Sequence, residues 1–429
     1  MKHHYLYILL IVLCCSCIKD ANGNKSTTAP IQEQSLFPES VRGLDSAMDW
    51  ARKSITLLDG GKTKSGLTRK IESWNALVVP GTKSGNAGPD TLLYVFNFAD
   101  NSGFSIIAAD PTVKPILAVT ESGHYVAGEP TGNEAFDEYM RGLSECLPNQ
   151  SGKPELYYWY DYVMDGEVVN RNVGVSWGQD DIYGQYCPNG LSGCVATAMA
   201  QIMAYHCVPS SFYATTSIGS EILSGESVPL NWSGIKKHSM SHTDTRPCDS
   251  YHKIIGALLR EIGSQVDMRY DSGESTASFN NVPGAFNHFG YIASSPVPFS
   301  VNTAKSAIKS FGPIYMRGGL SGNGNGHAWI IDGYADYKYY YNRYERAEGS
   351  GKPPIITQQT LISKEHAFHI NWGWDGDCNG YFDIGVFDVD KANTYDDTHN
   401  HSGLSYANDC KMVIVARDNT LRNGRFVKM

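Results

Sequence analysis

The 429 residues, 41% hydrophobic and 18% charged, suffice to bury a core and to form more than one domain. A formal net charge of −9 without a long basic run argues against nucleic acid as the main partner. Beyond Cys17 the cysteines are Cys146, Cys187, Cys194, Cys207, Cys248, Cys378 and Cys410, with no C-x-x-C pair and no histidine pair at zinc spacing, so neither a metal nor a cofactor is expected.

The chain opens on Lys2, His3 and His4, an apolar run from Tyr5 to Leu13, and Cys14-Cys-Ser-Cys17. This pattern predicts a signal peptide over 1–16, too short to span a bilayer, which needs about 18 or more apolar residues. Ser16 before Cys17 matches a bacterial lipobox, so Cys17 is the expected lipidation site. The lipid would anchor the protein outside the cytoplasm, at the outer membrane. Residues 17–34, polar and rich in Ser, Thr and Asn, read as a flexible tether.

From Glu39 to Leu58 the apolar positions recur every three or four residues and predict a helix. Strands are expected over Ala76–Val79, Thr91–Asn97, Gly103–Ala108 and Pro115–Thr120, and a second helix over Asn133–Leu147. These form an α+β unit, 35–165. Pro148 to Asn172 is poorly patterned and reads as the junction. The second unit, 166–429, begins with helices (the segment after Cys194, Tyr251–Val266, Val301–Phe311). It then turns to strands (Pro313–Arg317, His327–Tyr334, Ala367–Asn371, Gly380–Ile384, Met412–Ala416), again α+β with a largely antiparallel sheet.

Cys194 begins a run of Ala, Met and Ile without Pro or Gly, so its thiol sits at a helix N-terminus, where unpaired N–H groups favour a thiolate. Gly193 removes a side chain from the approach to the sulfur. Taken alone, Cys194 reads first as a buried structural cysteine. A nucleophile needs a base, and Gly326-His-Ala-Trp-Ile-Ile-Asp-Gly333 offers His327 at the start of an apolar strand. Phe368-His-Ile-Asn-Trp-Gly-Trp374 supplies Asn371, whose side-chain oxygen can accept the imidazole N–H and fix its tautomer.

Cysteine on a helix with histidine and asparagine on later strands is the chain order of papain-like thiol peptidases. The segments Gly193–Met203, Gly326–Gly333 and Asn371–Trp374 resemble the signatures of the streptopain family, interpain-type zymogens of Bacteroidota included. Leu92–Phe98 with Gly103–Asp110 is similar to that family's pro-domain. The resemblance implies a papain-like catalytic domain preceded by an inhibitory pro-domain. It also implies a cysteine endopeptidase acting on proteins or peptides, with its own pro-domain as intramolecular inhibitor. It assigns Cys194 as nucleophile, His327 as base, Asn371 as the residue orienting His327, and Trp374 as a shield over the pair. Gln179 becomes the side-chain donor of the oxyanion hole, with Gln185 as competitor. Cys194 and His327 are expected to be ionised as a pair, and activating cleavage is expected between Asn149 and Asn172.

Ala335 to Glu365 departs from the family by its length and reads as a lid, a partner-binding loop or a longer hairpin. Two other functions stay open at this point: a catalytically silent binding or inhibitory lipoprotein of the same fold, and an amidase acting on cell-wall peptides.

Overall fold

A computed structural model describes residues 42–56, 68–79, 90–110, 114–147, 156–170, 173–237, 250–319, 326–349, 352–383 and 410–418. The expected signal peptide, Cys17 and the tether lie outside them.

The first unit opens with α1 (Leu44–Ile55), whose Ala47, Trp50, Ala51 and Ile55 are buried on one face. Strands β1 (Ile71–Val79), β2 (Asp90–Phe98), β3 (Phe104–Ala108) and β4 (Ile116–Thr120) follow as an antiparallel meander. Helix α2 (Glu134–Cys146) closes the unit. Its Asn133 cap accepts from the Phe136 N–H at 3.1 Å, and Glu134 and Asp137 complement the helix dipole in the first turn.

Strand β5 (Leu156–Asn170) occupies most of the segment read as an unpatterned junction. It pairs antiparallel with the later strand Gly326–Gly349, from Asn170↔Gly333 to Leu156↔Glu345. Tyr, Trp and Val form strands readily, but the segment Leu156–Asn170 shows no alternation of apolar and polar residues, so no period betrayed it. The boundary expected at 165/166 falls inside β5.

Helix α3 (Cys194–His206) follows, buried on all sides from Val195 to Ala204. Such a helix belongs at the centre of a core, and burying Met199, Ile202 and Met203 stabilises it by about 1.5–3 kcal/mol each. Helix α4 (Ser250–Gln265) packs beside it, whereas α5 (Val301–Phe311) buries Ala304, Ala307 and Ile308 in the core on the other side of the sheet, whose strands are β6 (Ile314–Gly319), β7 (Gly326–Gly349), β8 (Lys352–Asn371), β9 (Gly380–Asp383) and β10 (Lys411–Val413). The expected strand Met412–Ala416 is split into β10 and the short strand Val415–Arg417.

The sheets of the two units are one. Eleven strands run β1-β2-β3-β4-β9-β8-β7-β6-β10 to the short strand Val297–Pro298, with β5 added on β7. The joint is the antiparallel pair β4–β9, in register Thr120↔Gly380, Val119↔Tyr381 and Ala118↔Phe382. Ala335–Glu365 is a longer hairpin, formed by the distal parts of β7 and β8, with β5 as its third strand. Gly333 permits that third strand: a Cβ there would stand 2.8 Å from the Val169 carbonyl oxygen.

Candidate active site

Cys194 is the first residue of α3. Gly193 before it has φ of 83°, and a Cβ there would lie 2.9 Å from the Cβ of Ser275, so both backbone and space require glycine. The expected open approach is at this position a wall. The backbone N–H groups of Ala328, Val195 and Cys194 itself favour the thiolate, and the Arg317 cation adds a weaker attraction. Burial outweighs these and holds the thiol above its ordinary value.

Ala328 and Ile330 face α3, whereas Trp329 and Ile331 face the opposite core. His327 lies on the Trp329 side, its ring stacked on that indole at 6.2 Å and 11°. Trp372 and Trp374 stand 6.4 and 6.5 Å from it. Its Nε2–H donates to the Trp372 carbonyl at 2.9 Å, which leaves Nδ1 as the basic nitrogen. Burial among the indoles pushes the imidazole down to about 4, against a smaller upward pull from that carbonyl. Among the described residues no hydrogen bond joins Sγ to the imidazole. The ionised pair expected from the sequence is therefore not formed in this arrangement. Both groups are neutral, adjacent through Ala328, and on different faces of β7.

Asn371 does not carry the imidazole's hydrogen bond. Its Nδ2 donates to the Val175 carbonyl at 3.2 Å and its Oδ1 accepts from the Gly373 N–H at 3.1 Å. Asn379 Oδ1 accepts from the Trp372 N–H at 3.0 Å. Together the two asparagines shape the turn that aims the Trp372 carbonyl at His327. Trp374 stands beside the imidazole, partly buried.

Gln179 lies next to the helix start. Its carbonyl accepts from Ser192 N–H at 2.7 Å and Ser192 Oγ–H at 3.2 Å. Two polar residues on the buried helix hold the segment before it: Thr197 donates to the Gly178 carbonyl at 3.0 Å and Gln201 Oε1 accepts from the Trp177 N–H at 3.3 Å. Gln185 is tied elsewhere, its Nε2 donating to the carbonyls of Ile182 and His252 at 2.7 and 3.1 Å.

The sequence reading missed Ser192 in the loop before the helix, and Thr197 and Gln201, for which the available signal was polarity on an otherwise apolar helix. It also missed the Trp372 carbonyl. A third omission is a buried charge cluster on β7 and its neighbour β8. His369 Nδ1–H donates to Asp332 Oδ1 at 2.5 Å, and His369 Nε2 lies 3.2 Å from Glu121 Oε1. Burial alone would lower that imidazole, yet Asp332 first and Glu121 second hold it up at about 10.

The sequence matches two family models: Peptidase C10 family over residues 177–382 and Spi protease inhibitor over residues 29–140. It is 24% identical to streptopain of Streptococcus pyogenes over 391 residues, covering 82% of this chain and 85% of that protein. It is 23% identical to the thiol protease/hemagglutinin PrtT of Porphyromonas gingivalis, covering 71% of this chain but 35% of that larger protein. A solved structure of a Prevotella intermedia prointerpain A fragment matches 79% of this chain and 98% of its own length, with 20% identity and a TM-score of 0.48.

Proposed function

Because this chain belongs to the streptopain-like Peptidase C10 family of cysteine peptidases and carries a Spi-type inhibitor domain ahead of the peptidase domain, we propose that it is the latent precursor of a secreted endopeptidase using Cys194, His327 and Gln179. The observation that carries this reading is the sulfur at the α3 N-terminus, favoured as an anion by the backbone N–H of Ala328 on β7, with the imidazole of the preceding residue, His327, held in a defined tautomer.

In the active form the His327 imidazole turns to Sγ and Nδ1 takes the thiol proton. The thiolate attacks the peptide carbonyl carbon, and the oxyanion is held by the Cys194 N–H and the Gln179 side chain. Collapse breaks the C–N bond, and the departing amine takes the proton from His327. His327 then deprotonates a water molecule, which cleaves the thioester and frees the carboxylic acid and the thiol. Asn371 acts through the turn that carries Trp372, and Trp374 covers the imidazole.

Latency has a physical route from the pro-domain to His327. Phe136 and Tyr139 of α2 pack on Phe382 at 6.4 and 5.5 Å, and Trp372 rests on Phe382 at 5.3 Å. The same turn is gripped from the pro-domain side. Ser122 Oγ–H donates to the Gly376 carbonyl at 2.6 Å, Asn133 Nδ2 to the Asp377 carbonyl at 2.9 Å, and Glu121 N–H to the Asn379 carbonyl at 2.8 Å. Loss of the pro-domain releases this grip and frees the Trp372 carbonyl to move with the imidazole.

The matured protein should hydrolyse casein. Gln179→Ala should lower kcat about 10²–10³-fold, the cost of one oxyanion donor, while Gln185→Ala leaves kcat within about threefold. Equal losses in the two variants would remove Gln179 from the mechanism. Release of peptide from peptidoglycan with casein left intact would select the amidase instead.

Secretion and anchoring rest on the leader 1–16 and the lipobox ending at Cys17. Cys17→Ser should lose incorporation of labelled palmitate and leave the membrane fraction. Retained labelling would rule out the lipoprotein form, and the membrane with it as a partner.

A further inference from the structure

We propose that Asp375 sets the specificity of this enzyme on the leaving-group side of the cut bond, favouring lysine or arginine as the residue immediately after it. The inference rests on the peptidase reading and names the class of substrate for that same site.

The chemistry fixes which side this is. His327 gives its proton to the departing amine, so the part of the substrate that leaves lies on the imidazole side of the sulfur. Trp374 stands 6.5 Å from that imidazole, and Asp375 is the next residue of the turn. Beyond Asp375 comes the segment that carries the oxyanion donor. A Cβ at Gly178 would stand 2.7 Å from the carboxyl carbon of Asp375 and 2.8 Å from its Oδ1. The carboxylate therefore lies directly on the Gly178 backbone, one residue before Gln179. Trp374, Asp375 and Gln179 are each half-buried, so a substrate side chain can reach the carboxylate between them.

The carboxylate is held from both sides. Thr197 Oγ–H donates to the Gly178 carbonyl at 3.0 Å, which ties one side of the contact to α3. The other side abuts the same helix, since a Cβ at Gly373 would lie 3.2 Å from Thr197 Cγ2. A charge fixed in this way loses little freedom on meeting a cation. Gly373, Asp375 and Gly376 have φ of 77°, 52° and 89°. Glycine fills two of these left-handed positions without strain, and the third keeps a carboxylate instead.

The surrounding charges favour the same choice. Asp180 and Asp181, the two residues after Gln179, are exposed and add negative potential on this side. The cation Arg317 lies on the opposite flank of β7, paired with Ala328 on β6, whereas the turn bearing Asp375 continues from β8. A substrate cation is thus attracted to the β8 flank and repelled from the β6 flank, and a substrate carboxylate the reverse.

The test uses the matured enzyme and fluorogenic peptides that differ only in the residue after the cut, with the cut position confirmed by mass spectrometry. With Lys or Arg there, kcat/KM should exceed that with Ala by about tenfold or more, and Glu should be poorer than Ala. Asp375→Asn, whose side chain is at home on left-handed backbone, should bring the Lys-to-Ala ratio within about threefold. Asp375→Lys should place Glu ahead of Lys. Each ratio is taken within one preparation, so a general loss of turnover cancels. Where these variants do not fold, the parent's Lys-to-Ala ratio should fall about threefold or more between about 0.05 and 0.5 M salt. Equal use of Lys, Ala and Glu by the parent, an unchanged ratio in Asp375→Asn, or a ratio indifferent to salt overturns the inference. Casein hydrolysis without this preference sinks the specificity alone, whereas failure to cut casein sinks the peptidase reading beneath it.

Discussion

Cys194→Ala is expected to abolish peptide hydrolysis, by about 10⁴-fold or more, and to leave the purified precursor at full length. The sulfur is the only atom that substitution removes from an arrangement held by other groups. Helix α3 starts at the left-handed Gly193, the three N–H groups come from the backbone, and Ser192 and Thr197 keep their bonds to the Gln179 segment. Fold and stability should therefore be unchanged while turnover is lost. In the parent the same gel and mass spectra report where maturation occurs. Strand β5 is laddered to β7 from Leu156 to Asn170, and its Glu167 accepts from Lys309 Nζ at 2.7 Å and Tyr334 OH at 2.9 Å. A peptide bond must leave its ladder to enter a protease cleft, so the mature chain should begin ahead of Leu156 and keep β5. Casein hydrolysis by the alanine variant would end the assignment of the nucleophile, and a mature N-terminus beyond Asn170 would end that of the boundary.

Asp332→Ala should cost about 3–5 kcal/mol of stability, the usual penalty for stripping one partner from a buried ion pair. Asp332 is 1% exposed and its two oxygens are both used, Oδ1 by His369 and Oδ2 by the Val173 N–H at 3.3 Å. It ties the start of the peptidase domain to the centre of the sheet, five residues after His327. The pH dependence has a definite sign. His369 is raised from an ordinary value near 6.5 to about 10, so its contribution is fully present below about pH 6.5 and is lost as pH rises through 10. Urea unfolding of the Cys194→Ala chain should show a parent whose midpoint declines between pH 7 and 10. The Asp332→Ala chain should start lower and decline less, because only Glu121 remains to hold the proton. Equal midpoints for the two chains at pH 7 would show that the cluster is not the stabilising element described here.

Much of the site was legible because its signals are local. A cysteine followed by ten helix formers, a histidine opening an apolar strand and an asparagine closing one are each visible within a dozen residues. The same holds for α1, α2, α3 and the meander β1–β4, which appear within a few residues of their expected bounds. The partner of His327 was not legible, since a backbone carbonyl exists at every position and only the turn Asn371–Asn379 singles out that of Trp372. Nor could the facing of the imidazole be read. Strand alternation puts His327 on the side opposite Ala328, and which side carries the thiol depends on where α3 packs.

The amino-acid order by itself determined the chemistry available: one thiol at a helix start, one basic nitrogen at a strand start, an amide side chain, Gln179, in the segment ahead of the thiol, and a separate α+β unit ahead of them. Tertiary structure alone decided their state. The merging of two sheets across β4–β9, the burial of Lys114 between two carboxylates of the other unit, the contact of His369 with Glu121, and the indole wall around His327 all join residues more than a hundred positions apart or set by packing. No local pattern encodes such pairings, because each residue's hydrogen-bonding and desolvation terms depend on neighbours that only the folded chain supplies.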